Sequence, residues 1–87
     1  MHAVVVNVTI KDVETALGEL SDQVAPQVSQ APGFVAGYWV RLPGNKGTSI
    51  VAFESEEQAR AAAERVQADR EAVTFDSVDV GEVVAHA

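Results

Sequence analysis

The chain has 87 residues, 47% of them hydrophobic, with 13 acids against 6 bases and a formal net charge of −7. That length holds one domain, 1–87, and an acidic surface with scattered bases speaks against nucleic acid or an anionic membrane as partner. Cysteine is absent, which excludes disulfides and thiolate chemistry, and the longest apolar run, "AVVVNV", is too short for a bilayer span or a signal-peptide core, so a cytoplasmic protein is expected.

Residues 2–10, "HAVVVNVTI", are dominated by β-branched side chains and predict a first strand. Its even face is His2, Val4, Val6, Val8 and Ile10; its odd face is Ala3, Val5, Asn7 and Thr9. Asp12 then fits an N-cap, and Val13, Leu17, Leu20, Val24 and Val28 recur at helical spacing, so a helix is expected over about 12–30. Pro26 lacks a backbone donor and predicts a kink near residues 22–26. "APG" at 31–33 ends that helix, because proline disfavours helix at the residue before it and glycine tolerates positive φ.

Residues 34–42, "FVAGYWVRL", predict a second strand, with Val35, Gly37, Trp39 and Arg41 on one face and Ala36, Tyr38, Val40 and Leu42 on the other. "PGNKG" at 43–47 has the chemistry of a hairpin turn, and 48–54 return as a third strand. Ser55 and Gln58 fit a capping box opening a second helix to about residue 69. Its inner stripe is Ala59, Ala62, Ala63 and Val66, and Glu56–Arg60 and Arg60–Glu64 are spaced as ion pairs on its solvated side. The remainder supplies a fourth strand over roughly 76–86, with 69–78 open between loop and early strand.

The order βαββαβ, closed by right-handed crossovers, predicts an α+β ferredoxin-like fold: an antiparallel four-stranded sheet of order 4-1-3-2 with both helices on one face. Apolar residues on both sides of the strands would leave the other face bare. A second copy covering it is the economical solution, because each such side chain is worth about 1.5–3 kcal/mol when buried. A homodimer through the helix-free sheet face is therefore expected.

"SQAPGF" at the first helix–strand junction, "FESEEQARA" at the opening of the second helix, and the terminal "VGEVVAHA" resemble the dimeric α+β barrel superfamily. Within it, the small antibiotic-biosynthesis-monooxygenase-like domains are the nearest branch. The resemblance covers the whole chain and rests on structural signals. It implies a site between helices and sheet, and activities that include cofactor-independent monooxygenation of phenolic or polyketide substrates and haem degradation. Asn7 is similar to the asparagine midway along strand 1 in the haem-degrading branch. That branch also needs a tryptophan on the second helix and a histidine near its end, and "EEQARAAAERVQADR" has neither, so haem degradation is disfavoured and no cofactor is expected. The monooxygenase branch surrounds its substrate with tryptophan, tyrosine, asparagine and arginine; Trp39, Tyr38, Asn7 and Arg41 are the side chains of those types here.

Asn7 is a polar amide among valines, and burying it unpaired would cost about 1–3 kcal/mol. It either orients a ligand carbonyl or phenol, or is satisfied by a neighbouring group or water. Tyr38 and Trp39 point to opposite faces, so one belongs under the helices and the other on the sheet's bare side. Arg41 would hold an anion beside the aromatic ligand. His2 and His86 would be cross-strand neighbours in the 4-1-3-2 order, but no acid has ligand spacing beside them and no metal site is expected. "GNKGTS" is not a phosphate loop, since it lacks the P-loop spacing and joins two strands. Two readings follow: a non-catalytic module binding a small aromatic molecule, or a cofactor-independent monooxygenase acting on an aromatic or quinonoid substrate.

Overall fold

A computed structural model describes residues 1–66 and 73–87. Strand β1, His2–Ile10, follows the β-branched run. Helix α1, Val13–Glu19, opens at Asp12, whose backbone is extended and whose carboxylate accepts the Thr15 amide at 3.1 Å. The chain then widens into a π-helical turn, Leu20–Val24, before resuming as α2, Ala25–Ser29. The kink foreseen from Pro26 is thus a one-turn widening just upstream of the proline, where an α-helical carbonyl four residues back would clash with the ring. Gly33, at φ 78°, turns the chain into β2, Phe34–Leu42.

Strand β3, Lys46–Phe53, begins two residues earlier than the turn chemistry suggested. Positive φ at Gly44 and Asn45 completes the reversal within three residues, which frees Lys46 to pair with Leu42. Helix α3, Glu56–Val66, starts where the Ser55 hydroxyl accepts the Gln58 amide at 3.2 Å. The expected continuation to residue 69 lies outside the described residues. Arg60 binds Glu56 at 3.0 Å as foreseen; a contact to Glu64 does not form. Strand β4 is Val73–Glu82, shifted toward the N-terminus of the span expected for it.

The sheet order is β2-β3-β1-β4 with every neighbouring pair antiparallel, which is the expected 4-1-3-2 order read from the other edge. The core lies between sheet and helices: Val4, Val6, Val51 and Phe53 meet Ala59 and Ala63 of α3. Alanines bring α3 close, and Ala59 is fully buried. Phe34 packs edge-on against Phe53 with ring centres 6.4 Å apart.

Both outer strands carry a register shift that strict alternation could not foresee. In β2 the pairing steps from Phe34↔Phe53 to Ala36↔Ala52, so exposed Val35 is the extra residue and Phe34 takes the inward place. In β4 it steps from Ser77↔Asn7 to Phe75↔Val8, which makes Asp76 the extra residue. That shift puts Val73 and Phe75 on the same face as Val78 and Val80, and it is why 73–78 gave no clean strand period; residues 69–72 of the ambiguous stretch lie outside the described residues.

Candidate functional site

The even face of β1 and the inner face of the first helical segment do not close on each other. Between them lies a cavity of about 160 Å³, open on one side. Val6, Val8, Trp39 and Phe75 form its floor on the sheet, and Leu17 and Leu20 its roof. Leu17, expected to be core, stays 45% exposed because it overhangs this opening. The lining is mainly apolar. Among the described residues its polar members are Ser49, buried on the floor, Thr48 beside it, and Glu19 and Arg41, which carry opposite charges.

Trp39 is held by its neighbours on the sheet. Its indole lies over Gly37, where a Cβ would come within 2.9 Å of the ring, so only glycine leaves this ring position free. Trp39, Ser49 and Val6 occupy one row across β2, β3 and β1, and Arg41, Gly47 and Val8 the next. Trp39 and Arg41, on one face of β2, therefore both line the cavity. The open choice between Trp39 and Tyr38 is resolved: Trp39 faces the cavity, and Tyr38 stands 68% exposed on the helix-free face.

Asn7 is also on the helix-free face. Its Nδ2 donates to Ser77 Oγ at 3.0 Å, so its amide is satisfied by a neighbouring strand. Asn7 and Trp39 thus lie on opposite sides of the sheet and cannot position one ligand together. The reason is parity: Val6 and Val8 take the inward positions, which leaves residue 7 outward. Below Asn7, Thr9 Oγ1 donates to Asp76 Oδ2 at 2.8 Å and accepts from Lys46 Nζ at 2.6 Å. This corrects the expectation that every strand is apolar on both sides. The helix-free face carries apolar side chains on β2 and β3, through Tyr38, Val40, Leu42 and Ile50, beside Lys46 and Thr48 of β3, and β4 presents Ser77 and Asp79 there.

The histidines do not meet. His2 pairs across the sheet with Glu82, not His86, and its Nε2 lies 3.2 Å from Glu56 Oε2 on α3. His86 lies exposed beyond the end of β4. Among the described residues no group of three or more His, Cys, Asp or Glu could hold a metal ion, and no helix is long and apolar enough to cross a membrane.

Sequence reasoning missed the valine and leucine walls as a site, because an apolar stripe on a helix signals core whether or not the facing sheet reaches it.

No protein-family model matches the chain, and no curated protein matches it. Solved structures do. A mutant of MhuD, described as having two manganese protoporphyrin IX molecules per active site, is 20% identical over 100% of this chain and 98% of its own, with a TM-score of 0.70. MhuD from Mycobacterium tuberculosis, described as a heme-degrader with two hemes in its active site, is 24% identical over 97% and 98%, with a TM-score of 0.55. At these identities the likeness is one of fold, the ferredoxin-like α+β fold expected from the order of elements.

Proposed function

We propose that this chain is a small-molecule-binding module that takes a planar aromatic anion in the cavity between its first helical segment and its sheet. The observation that carries the reading is a mainly apolar cavity that Trp39 and Arg41 enter from the same strand. The indole offers a stacking surface, worth about 0.5–1.5 kcal/mol beyond simple burial, and the guanidinium a partner for a carboxylate or phenolate. Ser49 supplies one hydroxyl at the floor.

The volume limits the ligand. Pockets for drug-sized ligands measure roughly 300–1,000 Å³, so a cavity of about 160 Å³ suits a smaller ligand of one or two fused rings. The porphyrins of the fold neighbours are a poor fit. No histidine lines the cavity, His2 is engaged by Glu56, and His86 lies beyond β4. The residues present do not fit a haem group.

We further infer that two copies pair through the helix-free face. Tyr38, Val40, Leu42 and Ile50 form a contiguous exposed apolar patch on β2 and β3, and a second copy of the same patch is its natural cover. The cytoplasm is the compartment that goes with this acidic, cysteine-free chain.

Trp39 is the single tryptophan, so its fluorescence reports directly on the cavity. Titration with 1-hydroxy-2-naphthoate is expected to quench it saturably. Arg41→Ala is expected to weaken binding about tenfold, the loss of one charge-assisted contact. Saturable quenching that Arg41→Ala leaves unchanged would remove the anion from the proposal, and an absence of quenching would remove the site.

A second reading, cofactor-independent oxygenation of the same aromatic ligand, is favoured by the fold shared with a heme-degrader. Ligand-dependent oxygen consumption by the purified protein would select it over binding alone.

A further inference from the structure

Glu19 has no part in the binding reading above, yet it lines the same cavity as Arg41. It is the last residue of α1, on the helical side, while Arg41 comes from β2 on the sheet side. The apolar spacing of Val13, Leu17 and Leu20 would turn Glu19 to solvent. The helix is rotated away from that stripe: Ala16 is its buried residue, and Leu17 stays 45% exposed. Glu19 follows Ala16 by three residues and shares its side of the helix, which brings it half-buried into the lining. Among the described residues the ion pairs are His2–Glu56, Lys46–Asp76 and Arg60–Glu56, so Glu19 and Arg41 pair neither with each other nor with a third side chain. Two opposite charges line one cavity without neutralising each other.

We propose that Glu19 determines specificity, by selecting an aromatic acid that also carries a protonated amine on a separate substituent. The inference rests on the binding reading above and adds a positive group to the ligand it describes. Trp39 takes the ring, Arg41 the acid and Glu19 the ammonium. An alkylammonium stays charged near neutrality, with an ordinary pKa of about 10.4, and offers its donors to a carboxylate. A purely anionic ligand fares worse. Seated on Arg41, it takes water from the Glu19 carboxylate and leaves that group facing a like charge. The chain's net charge of −7 acts in the same direction, since its field repels a free anion more than a molecule of zero net charge.

The test is isothermal titration calorimetry with the 5-, 6- and 7-(aminomethyl)-2-naphthoates, each set against the ethyl-2-naphthoate of the same substitution. The two members of a pair have nearly the same shape and differ in the positive charge. One aminomethyl isomer is expected to bind about tenfold more tightly than its ethyl counterpart, the factor for one charge-assisted contact at a half-buried site. Glu19→Gln keeps the side chain's size and is expected to erase that preference. Glu14→Gln, exposed on the same helix and outside the cavity lining, is expected to keep it. Glu19→Lys is expected to reverse it, so that naphthalene-2,6-dicarboxylate outbinds every aminomethyl isomer. Three results overturn the inference while leaving the binding reading intact: equal affinity within every pair, a preference that survives Glu19→Gln, or a Glu19→Gln variant that tightens both series by the same factor. If neither series binds, the binding reading falls and the role of Glu19 falls with it.

Discussion

Gly37→Ala is the substitution that most directly probes the cavity's construction. The new Cβ would lie 2.9 Å from Trp39 Cη2, 3.0 Å from Cζ3 and 3.4 Å from Phe34 Cε2. Carbon atoms pack at about 3.5–4.0 Å, so the indole must retreat by roughly 0.5–1 Å. Toward the sheet there is no room, which leaves the cavity. Overpacking of this kind costs about 1–3 kcal/mol. Against it, alanine restricts the unfolded chain and returns about 0.4–1 kcal/mol, since Gly37 has no positive φ to forbid it. The net expectation is a loss of roughly 0.5–2 kcal/mol. With a urea slope near ~1 kcal/mol per molar for a small domain, the midpoint falls by about 0.5–2 M. Measurements at one fixed protein concentration keep any association term constant. Trp39 emission is expected to change in the same variant, and the affinity for 1-hydroxy-2-naphthoate to fall, because the displaced ring takes up cavity space. A variant at least as stable as the parent, with unchanged emission, would refute the claim that the missing side chain at residue 37 makes room for the indole.

Other outcomes test the remaining assignments. Ile50→Asp puts a charge into the apolar patch and is expected to yield monomers in sedimentation, whereas Asp79→Asn on β4 leaves association unchanged; monomers from both proteins alike would dismiss the pairing. Asn7→Ala is expected to cost about 0.5–1.5 kcal/mol through the lost Ser77 contact, with naphthoate affinity unaltered; a large loss of affinity would mean that residue 7 reaches the ligand after all. Hydrogen bonds from the Thr15 backbone and then its side chain, followed by the Glu14 amide, outweigh burial and hold the Asp12 carboxyl below its ordinary value of 3.8. A depressed carboxylate contributes stability above its unfolded-state value and loses it as pH falls through the folded one. The gap in thermal midpoint between the parent and Asp12→Ala is thus expected to be constant near neutrality and to close below about pH 4, while a gap that persists at pH 2 would rule out the ionised cap.

The order of elements, the antiparallel sheet and the helix starts at Asp12 and Ser55 were legible in the sequence, because periodicity and capping are local signals carried by a few adjacent residues. Alternation placed Tyr38 and Trp39 on opposite faces but not which face the helices would cover. Only the assembled sheet decided that, by burying Val4 and Val6 and thereby turning Asn7 outward to Ser77. The extra residues Val35 and Asp76 came from pairing across strands, where one strand must accommodate the other's register, and no single strand encodes its partner. The cavity is tertiary in the same sense: Leu17 and Leu20 sit at the spacing of a core stripe, and they roof a hollow because the sheet side chains they face, Val6, Val8, Phe75 and Trp39 with its ring over Gly37, do not close against them.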